Sequence, residues 1–368
     1  FGAQLAAEGI RHVIVLGMGG SSLAPEVFQR TFGNAQGYPS LRILDSTHPR
    51  AVAELAGEIE LAKSVFMVSS KSGGTTETMS FFRFFWAQAK AAGLDAGRHF
   101  VAVTDPGTSL EKLAHERGFR AVFSAPSDVG GRYSALTPFG LVPAAAIGLD
   151  VGDLLARAAR LAVRCGAEVP AADNPGLTLG AALGELALLG RDKLTFFTSP
   201  SLVSFPDWLE QLIAESTGKH GRGIVPVVGE APGVPAVYGS DRVFVGIALE
   251  GEEAPVLARL HEFAEAGHPT FSFVLSQLAE LGAEMFRWEL ATAAAGAVLG
   301  IQPFDQPDVQ LAKDLSARAM RGELGSEVVG VEVALGDGRG EEVEAALAAW
   351  FHGSSAGDHD CLTRRLRP

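Results

Sequence analysis

Cysteine is scarce in this 368-residue chain, which contains only Cys165 and Cys361. Two thiols cannot supply a disulfide framework or a cysteine-rich zinc site, and reduced thiols are typical of cytoplasmic proteins. The nine histidines are scattered, and none of them forms the HxxxH pattern of a metal-binding helix. We therefore expect a cytoplasmic protein that binds no metal.

Long hydrophobic runs and an excess of basic charge are also missing. No apolar run approaches the roughly 20 residues that cross a bilayer, since Phe139–Leu149 and Ala293–Ile301 are both short. Phe1–Ile10 lacks the basic residues that open a secretion signal. The chain has 30 Lys and Arg against 43 Asp and Glu, a net charge of −13, whereas binders of nucleic acid or anionic membranes present a basic face. The sequence thus predicts no nucleic-acid partner and no membrane partner, and leaves room for a local basic pocket.

The hydrophobic pattern predicts an α/β fold. Hydrophobic residues make up 47% of the chain and charged residues 20%, which suits a large buried core. Short β-branched runs alternate with helical patterns, as in parallel sheets covered by helices on both faces. The predicted strands are His12–Leu16, Leu41–Asp45, Ser64–Val68, Phe100–Thr104, Ala121–Ser124, Leu194–Thr198, Arg242–Leu249, Thr270–Leu275 and the extended segment Ser326–Leu335. The predicted helices are Ala24–Thr31, Thr76–Ala92, Ser109–Arg117, Asp150–Cys165, Leu177–Leu189, Pro206–Glu215, Ala254–Ala266, Gln277–Gly300, Val309–Arg321 and Val343–Phe351.

The length suggests two domains, and the boundary falls near Gly148–Asp150, before a long helical stretch. We expect a first domain at residues 1–149, a second at 150–330 and a C-terminal segment at 331–368. No linker rich in Pro, Gly or Ser separates the halves. They are therefore expected to pack together around a cleft.

Two glycine- or hydroxyl-rich loops each follow a predicted strand and open a predicted helix. Gly17–Ser22 (GMGGSS) lets the backbone turn sharply and approach a ligand, and the amides of the following helix favour an anion. The alternative is a tight structural turn. Ser69–Thr78 (SSKSGGTTET) holds six hydroxyls and a lysine, whereas capping a helix needs one hydroxyl. This excess favours a site that surrounds the oxygens of a phosphate over a simple capped helix.

Three further motifs supply charged and amide side chains. Asp128–Ser134 (DVGGRYS) can deliver Arg132 into a cleft, where its guanidinium holds an oxyanion, or Arg132 forms a structural ion pair. In Trp208–Lys219, Gln211 and Glu215 share a helix face, and Glu215 stands at the helix end, where it projects into a cleft or into solvent. The last motif is Pro303–Pro307 (PFDQP), and Lys313 follows Gln306 by two helical turns.

In this order, the five motifs resemble those of the glucose-6-phosphate isomerase family. Gly17–Ser21 resembles its GIGGS loop, Ser70–Thr78 its SKTFTTQET phosphate loop and Gly130–Ser134 its GGRYS signature. Glu215–Lys219 resembles ESxGK, and Phe304–Lys313 resembles FDQxxVxxxK. The resemblance implies two sugar-isomerase (SIS) domains, each a parallel sheet flanked by helices, in a homodimer that needs no cofactor. Some relatives are fused behind a transaldolase, and the Phe1 start suggests the isomerase part of such a fusion.

The resemblance also implies a role for each matching position. Glu215 corresponds to the base that moves a proton between C1 and C2, and Arg132 to the arginine that stabilises the enediolate. Lys313 corresponds to a lysine near the ring oxygen. The residues expected to bind the sugar phosphate are Ser21, Ser70, Lys71, Ser72, Thr75, Gln211 and Gln306. The implied reaction is the interconversion of glucose 6-phosphate and fructose 6-phosphate.

The chain departs from the family at the ring-opening histidine. After Gly229-Glu230 it reads APGVPAVYGSDRVF, without a histidine, and His220 is the nearest one in the sequence. We therefore expect Lys313 to take a larger share of ring opening, with His220 as a helper. Three alternatives remain: a dual glucose/mannose 6-phosphate isomerase, a non-catalytic phosphosugar-binding SIS protein and a nucleotide-dependent oxidoreductase. Ser22, at the position of the third fingerprint glycine, counts against the last.

Overall fold

The computed structural model describes residues 1–307 and, beyond them, positions 311, 314–315, 318 and 321–323. Lys313 and the elements predicted at Ser326–Leu335 and Val343–Phe351 lie outside the described residues, as does most of the helix predicted at Val309–Arg321. The predicted domain boundaries stay predictions. No helix in the described part combines the length and the apolar character that crossing a membrane requires.

The first half of the chain forms a five-stranded parallel sheet. Its strands are β1 (His12–Leu16), β2 (Ser40–Leu44), β3 (Ser64–Ser69), β4 (Phe100–Thr104) and β5 (Ala121–Ser124). Their order is β2-β1-β3-β4-β5. The chain moves from β1 to one side and returns to β3 on the other, which opens a crevice at the carboxyl ends of these two strands. The first two motifs begin there.

Helices cover both faces of this sheet, and every residue of β3 and β4 is buried. The helices of the first half are α1 (Gly2–Ala7), α2 (Leu23–Phe32), α3 (Pro49–Glu58), α4 (Thr76–Ala91), α5 (Ser109–Glu116) and α6 (Pro138–Ala146). The sequence predicted α2, α4 and α5, and all five strands of this sheet are confirmed. It did not predict α1, α3 or α6.

The second half repeats this winding with four parallel strands. They are β6 (Lys193–Thr198), β7 (Val225–Val227), β8 (Arg242–Leu249) and β9 (Thr270–Leu275), in the order β7-β6-β8-β9. The flanking helices are α7 (Val151–Arg164), α8 (Pro175–Leu188), α9 (Phe205–Thr217), α10 (Glu253–Glu265) and α11 (Leu281–Leu299). The two sheets confirm the predicted α/β fold.

The two halves share one hydrophobic core. Phe28 of α2 is packed in the same buried cluster as Leu209 and Leu212 of α9 and Trp288 of α11. Burial of these side chains fixes α9 against the first half. The last turn of α9, which carries Glu215, is thereby held near the loops of the first sheet.

Candidate active site

The loop after β1 is shaped by two close approaches. Gly19 has φ +54, and a Cβ there would lie 2.7 Å from Nε2 of Gln211. A Cβ on Gly20 would lie 2.2 Å from the carbonyl oxygen of Gly131. Glycine is needed at both positions because any side chain would push these neighbours away. Ser21 is half-buried in the same turn, so the first motif lies against the third and the fourth.

The loop after β3 presents its hydroxyls at the start of α4. Ser70 is buried, and its Oγ lies 2.9 Å from Oγ1 of Thr75. Thr75 precedes α4, and its hydroxyl bonds to Ser70 and does not cap the helix. Ser72 is exposed at the tip of the loop. The helix dipole and free first-turn amides make this a suitable place for an anion.

Lys71 points its ammonium at the neighbouring strand end. It forms an ion pair with Asp105, which follows β4, and donates to the carbonyl of Ser127 at 2.8 Å. These bonds tie the second motif to the segment that leads into GGRYS. The participation of Lys71 in phosphate binding stays a prediction.

Arg132 links three of the motifs. It lies in the turn Gly131–Tyr133 and is buried, with 5% of its surface exposed. Its Nη1 donates to Oε2 of Glu215 at 3.3 Å and to Oε1 of Gln306 at 2.7 Å, and its Nε donates to Oγ of Ser216 at 3.0 Å. The guanidinium is therefore fixed in place beside a carboxylate, in a position to stabilise a developing oxyanion.

Glu215 is oriented from both sides. It stands in the last turn of α9, whose buried residues Leu212 and Ile213 face the core. Nε2 of Gln211, one turn earlier, donates to Oε1 of Glu215 at 3.0 Å, and Arg132 donates to Oε2. The Glu215 side chain remains 32% exposed. A carboxylate held this way, yet open to the cleft, can accept a proton from a bound molecule.

Lys219 is buried beneath the fifth motif, although the sequence analysis assigned no role to it. Its Nζ donates to the carbonyls of Gln302 and Asp305 and lies 2.8 Å from Oδ1 of Asp305. The sequence feature that pointed to Lys219 was its place in the ESTGK motif. Arg132 holds the same segment from its own position, because its Nη2 donates to the carbonyls of Pro303 and Asp305, each at 3.0 Å.

His220 occupies the tip of a two-residue turn and is exposed. Lys219 and Arg222 pair across this turn as a short antiparallel bridge. Both turn residues have positive φ, 54° at His220 and 72° at Gly221, as in the type I′ turns of hairpins. His220 thus directly follows Lys219 in the sequence, but its place at the tip of this turn leaves it exposed at the surface. Its part in ring opening stays a prediction, as does that of Lys313.

Two further titratable residues, Tyr133 and Glu289, were also missed by the sequence analysis. Tyr133 donates to Oγ of Ser216 at 3.2 Å, and burial raises the pKa of its phenol. Burial raises the pKa of Glu289, on α11, well above the usual value for glutamate. The charge of Glu289 also raises the pKa of Tyr133. The predicted helix Gln277–Gly300 contains three glutamates, Glu280, Glu284 and Glu289, and nothing in the sequence distinguishes the third from the others.

Chemically, the described site combines one base, one fixed cation, several amides and a hydroxyl-rich helix start. Within the residues that the structure describes, no three His, Cys, Asp or Glu side chains are grouped as a metal site would require. The arrangement suits proton transfer on a substrate that carries an anionic group.

The sequence of the chain is similar to those of known proteins. The sequence profile of the phosphoglucose isomerase family matches residues 3–229. The glucose-6-phosphate isomerase of Rubrobacter xylanophilus is 32% identical over 86% of this chain and 84% of its own length. That of Symbiobacterium thermophilum is 30% identical over 87% and 82%.

Solved structures share the fold. A hypothetical protein from Thermus thermophilus superposes with a TM-score of 0.77 at 26% identity, over 86% of each chain. A glucose-6-phosphate isomerase from Chlamydia trachomatis superposes with a TM-score of 0.74 at 20% identity, over 96% of this chain and 75% of that one. With a profile matching more than half of its residues and relatives matching along most of its length, the chain belongs to the phosphoglucose isomerase family.

Proposed function

We propose that this chain interconverts glucose 6-phosphate and fructose 6-phosphate by proton transfer through an enediolate. The observation that carries the proposal is the pairing of Glu215 with Arg132 at 3.3 Å in a chain of this family. Aldose–ketose exchange moves one proton between adjacent carbons and develops negative charge on the oxygens beside them. The pair supplies a base for the proton and a cation for the charge.

Glu215 acts as the base in this mechanism. Its carboxylate removes the proton from C2 of the open-chain aldose and returns it to C1, while the proton of the C2 hydroxyl passes to the C1 oxygen, so that C2 becomes the carbonyl carbon. Arg132 stabilises the enediolate through its positive charge, which five hydrogen bonds to protein acceptors already fix beside Glu215. Gln211 keeps Glu215 oriented, and Gln306 does the same for Arg132.

The phosphate is the remote handle of the substrate. Ser70, Ser72 and Thr75 surround it at the start of α4, with Ser21 from the adjacent loop. The helix amides favour the dianion. Binding energy from this contact positions the sugar carbons against Glu215.

The remaining expectations concern ring opening and assembly. Lys313 donates the proton to the ring oxygen, and His220 assists, from the same or a partner subunit. We expect a homodimer. We also expect a cytoplasmic location, which the scarcity of cysteine in the chain supports.

Replacement of Glu215 tests the proposal directly. Glu215→Gln keeps the shape of the side chain but cannot accept the proton, so kcat on fructose 6-phosphate should fall about 10²–10⁴-fold. Phosphosugar binding, measured by titration calorimetry, should be largely retained. Glu210→Gln, on the same helix, is the matched control and should keep normal turnover.

Two results would contradict the proposal. Near-normal turnover of Glu215→Gln would exclude Glu215 as the base, and loss of turnover in Glu210→Gln alone would move the role to that residue. A wild-type chain that binds fructose 6-phosphate without converting it would be a non-catalytic phosphosugar-binding protein. Parallel assays with mannose 6-phosphate decide between a single and a dual isomerase.

A further inference from the structure

The segment that carries Gln306 has no helix or strand between Gln302 and Gln306. Its fixed points are backbone carbonyls that accept hydrogen bonds from buried side chains. Arg132 supplies two of these bonds, to Pro303 and Asp305. Arg132 is also the residue proposed to meet the substrate, so a second anchor is needed to hold the segment independently of it.

Lys219 is that second anchor. Only 3% of its side chain is exposed, and a buried ammonium is costly unless its donors are matched. An ammonium has three donors, and three oxygens receive them here: the carbonyls of Gln302 and Asp305, and Oδ1 of Asp305. All three oxygens belong to the segment that carries Gln306. The geometry therefore fits a residue that holds this segment in place.

The turn that follows Lys219 also binds the chain just before this segment, at the end of α11. Lys219 and Arg222 exchange backbone hydrogen bonds of 2.9 Å across His220 and Gly221. Nη1 of Arg222 then donates to the carbonyl of Leu299 at 2.7 Å, where α11 ends. The chain that leaves α9, the helix of Glu215, thus binds residues 299–305 directly. We call Lys219, Arg222 and the turn between them the clamp.

We propose that Lys219 is a positioning residue for the isomerisation. By fixing the backbone from Gln302 to Asp305, it keeps the amide oxygen of Gln306 2.7 Å from Nη1 of Arg132. The inference rests on the proposed function of Arg132. Without Lys219, the segment loses its bonds to the side chain at Gln302 and Asp305, and the orientations of Arg132 and Gln306 become less well defined.

The first test replaces the cation while keeping the apolar stem. Lys219→Met should lower kcat on fructose 6-phosphate by about 10- to 100-fold, as misplacement by about 1 Å does. KM should change little, because the phosphate loop is untouched. Lys219→Arg restores the charge and should recover part of kcat. In a Gln306→Ala background, Lys219→Met should cost much less than it does alone, because the two residues act through one contact.

A matched control and an activity-independent measurement complete the design. Arg120 is also a mostly buried cation, bonded to the carbonyl of Arg98 and to Glu8, but it precedes β5 at the sheet edge opposite the site. Arg120→Met should lower thermal stability and leave kcat and KM unchanged. Amide hydrogen exchange of residues 302–306 should increase in Lys219→Met and stay normal in Arg120→Met.

The outcomes separate the two proposals. Increased exchange with unchanged kcat would overturn the positioning role, and so would unchanged exchange in a folded Lys219→Met. A kcat loss that is fully additive with Gln306→Ala would also overturn it. An inactive wild-type chain whose exchange still responds to Lys219→Met would overturn the proposed isomerase function but leave the clamp in place.

Discussion

Gly20 lies where the loop after β1 meets the turn that carries Arg132, and adding one methyl group there should greatly reduce activity. A Cβ at this position would lie 2.2 Å from the oxygen of Gly131, 2.5 Å from its carbonyl carbon and 3.1 Å from its Cα. All three atoms are backbone, so no flexible side chain can move aside. The next residue along, Arg132, carries the oxyanion-stabilising charge.

The size of the effect follows from these distances. Ordinary van der Waals contact begins at 3.4 Å, so the two loops must separate by about 1 Å, a displacement that costs on the order of 10² in rate when it reaches the reacting groups. Overpacking of this kind also lowers the free energy of unfolding by about 1–3 kcal/mol. We therefore expect Gly20→Ala to lose about two orders of magnitude in kcat while the protein remains folded.

The assay is steady-state conversion of fructose 6-phosphate together with thermal unfolding of the same preparation. Gly57→Ala is the control, because Gly57 is exposed on α3 and its added Cβ would meet nothing within 4 Å. That variant should keep full activity with equal or slightly higher stability, since alanine favours the helix by about 0.5–1 kcal/mol. A Gly20→Ala variant with normal kcat and normal stability would refute the claim that this contact positions Arg132.

Two further predictions address the phosphate loop and the buried acid. Ser72→Asp places a negative charge beside the expected phosphate, so KM for fructose 6-phosphate should rise much more than kcat falls, and an unchanged KM would place the phosphate elsewhere. Burial raises the pKa of Glu289 in the folded chain, so the folded state binds more protons than the unfolded state between the usual glutamate pKa and the raised one. The free energy of unfolding must then fall as pH rises through that window. In urea titrations at pH 5 and pH 8, Glu289→Gln should lose less stability than the wild type, and an equal loss would show that Glu289 ionises normally.

Three of the elements that the sequence missed, α3, α6 and β7, go against local sequence preferences. α3 begins with Pro49 and is capped by the side chain of His48, which accepts from the amide of Arg50; histidine is not a usual capping residue. α6 contains Pro143, and proline inside a helix usually breaks it, yet this helix continues through the proline. In both helices tertiary packing outweighs local propensity. β7 has three residues with a central proline, and such a strand is tolerated because it lies at the sheet edge.

The residues of the candidate site could be predicted from the sequence, whereas the contacts that hold them in place could not. Glu215, Gln211 and Arg132 stand in motifs whose residue types indicate their chemistry, and the structure brings these three together. The turn of Gly131–Tyr133 and the end of α9 are more than 80 residues apart, but each is locally recognisable. What the sequence does not contain is any sign of which backbone carbonyls a buried cation will bind.

The segment from Gln302 to Gln306 shows why such contacts cannot be predicted from sequence patterns. Lys219 and Arg132 bind its carbonyl oxygens, and every residue offers the same oxygen regardless of its side chain. The side chain of Phe304 is 60% exposed even though the backbone beside it is fixed. Pro303 packs closely against Gly296, where an added Cβ would lie 2.9 Å from the proline ring. These carbonyl contacts therefore do not depend on the side chains of the segment, although Asp305 and Gln306 also bind the two cations through their own side chains. The two cations, Lys219 and Arg132, hold the segment in place. Replacing either of them should therefore disturb the geometry around Glu215.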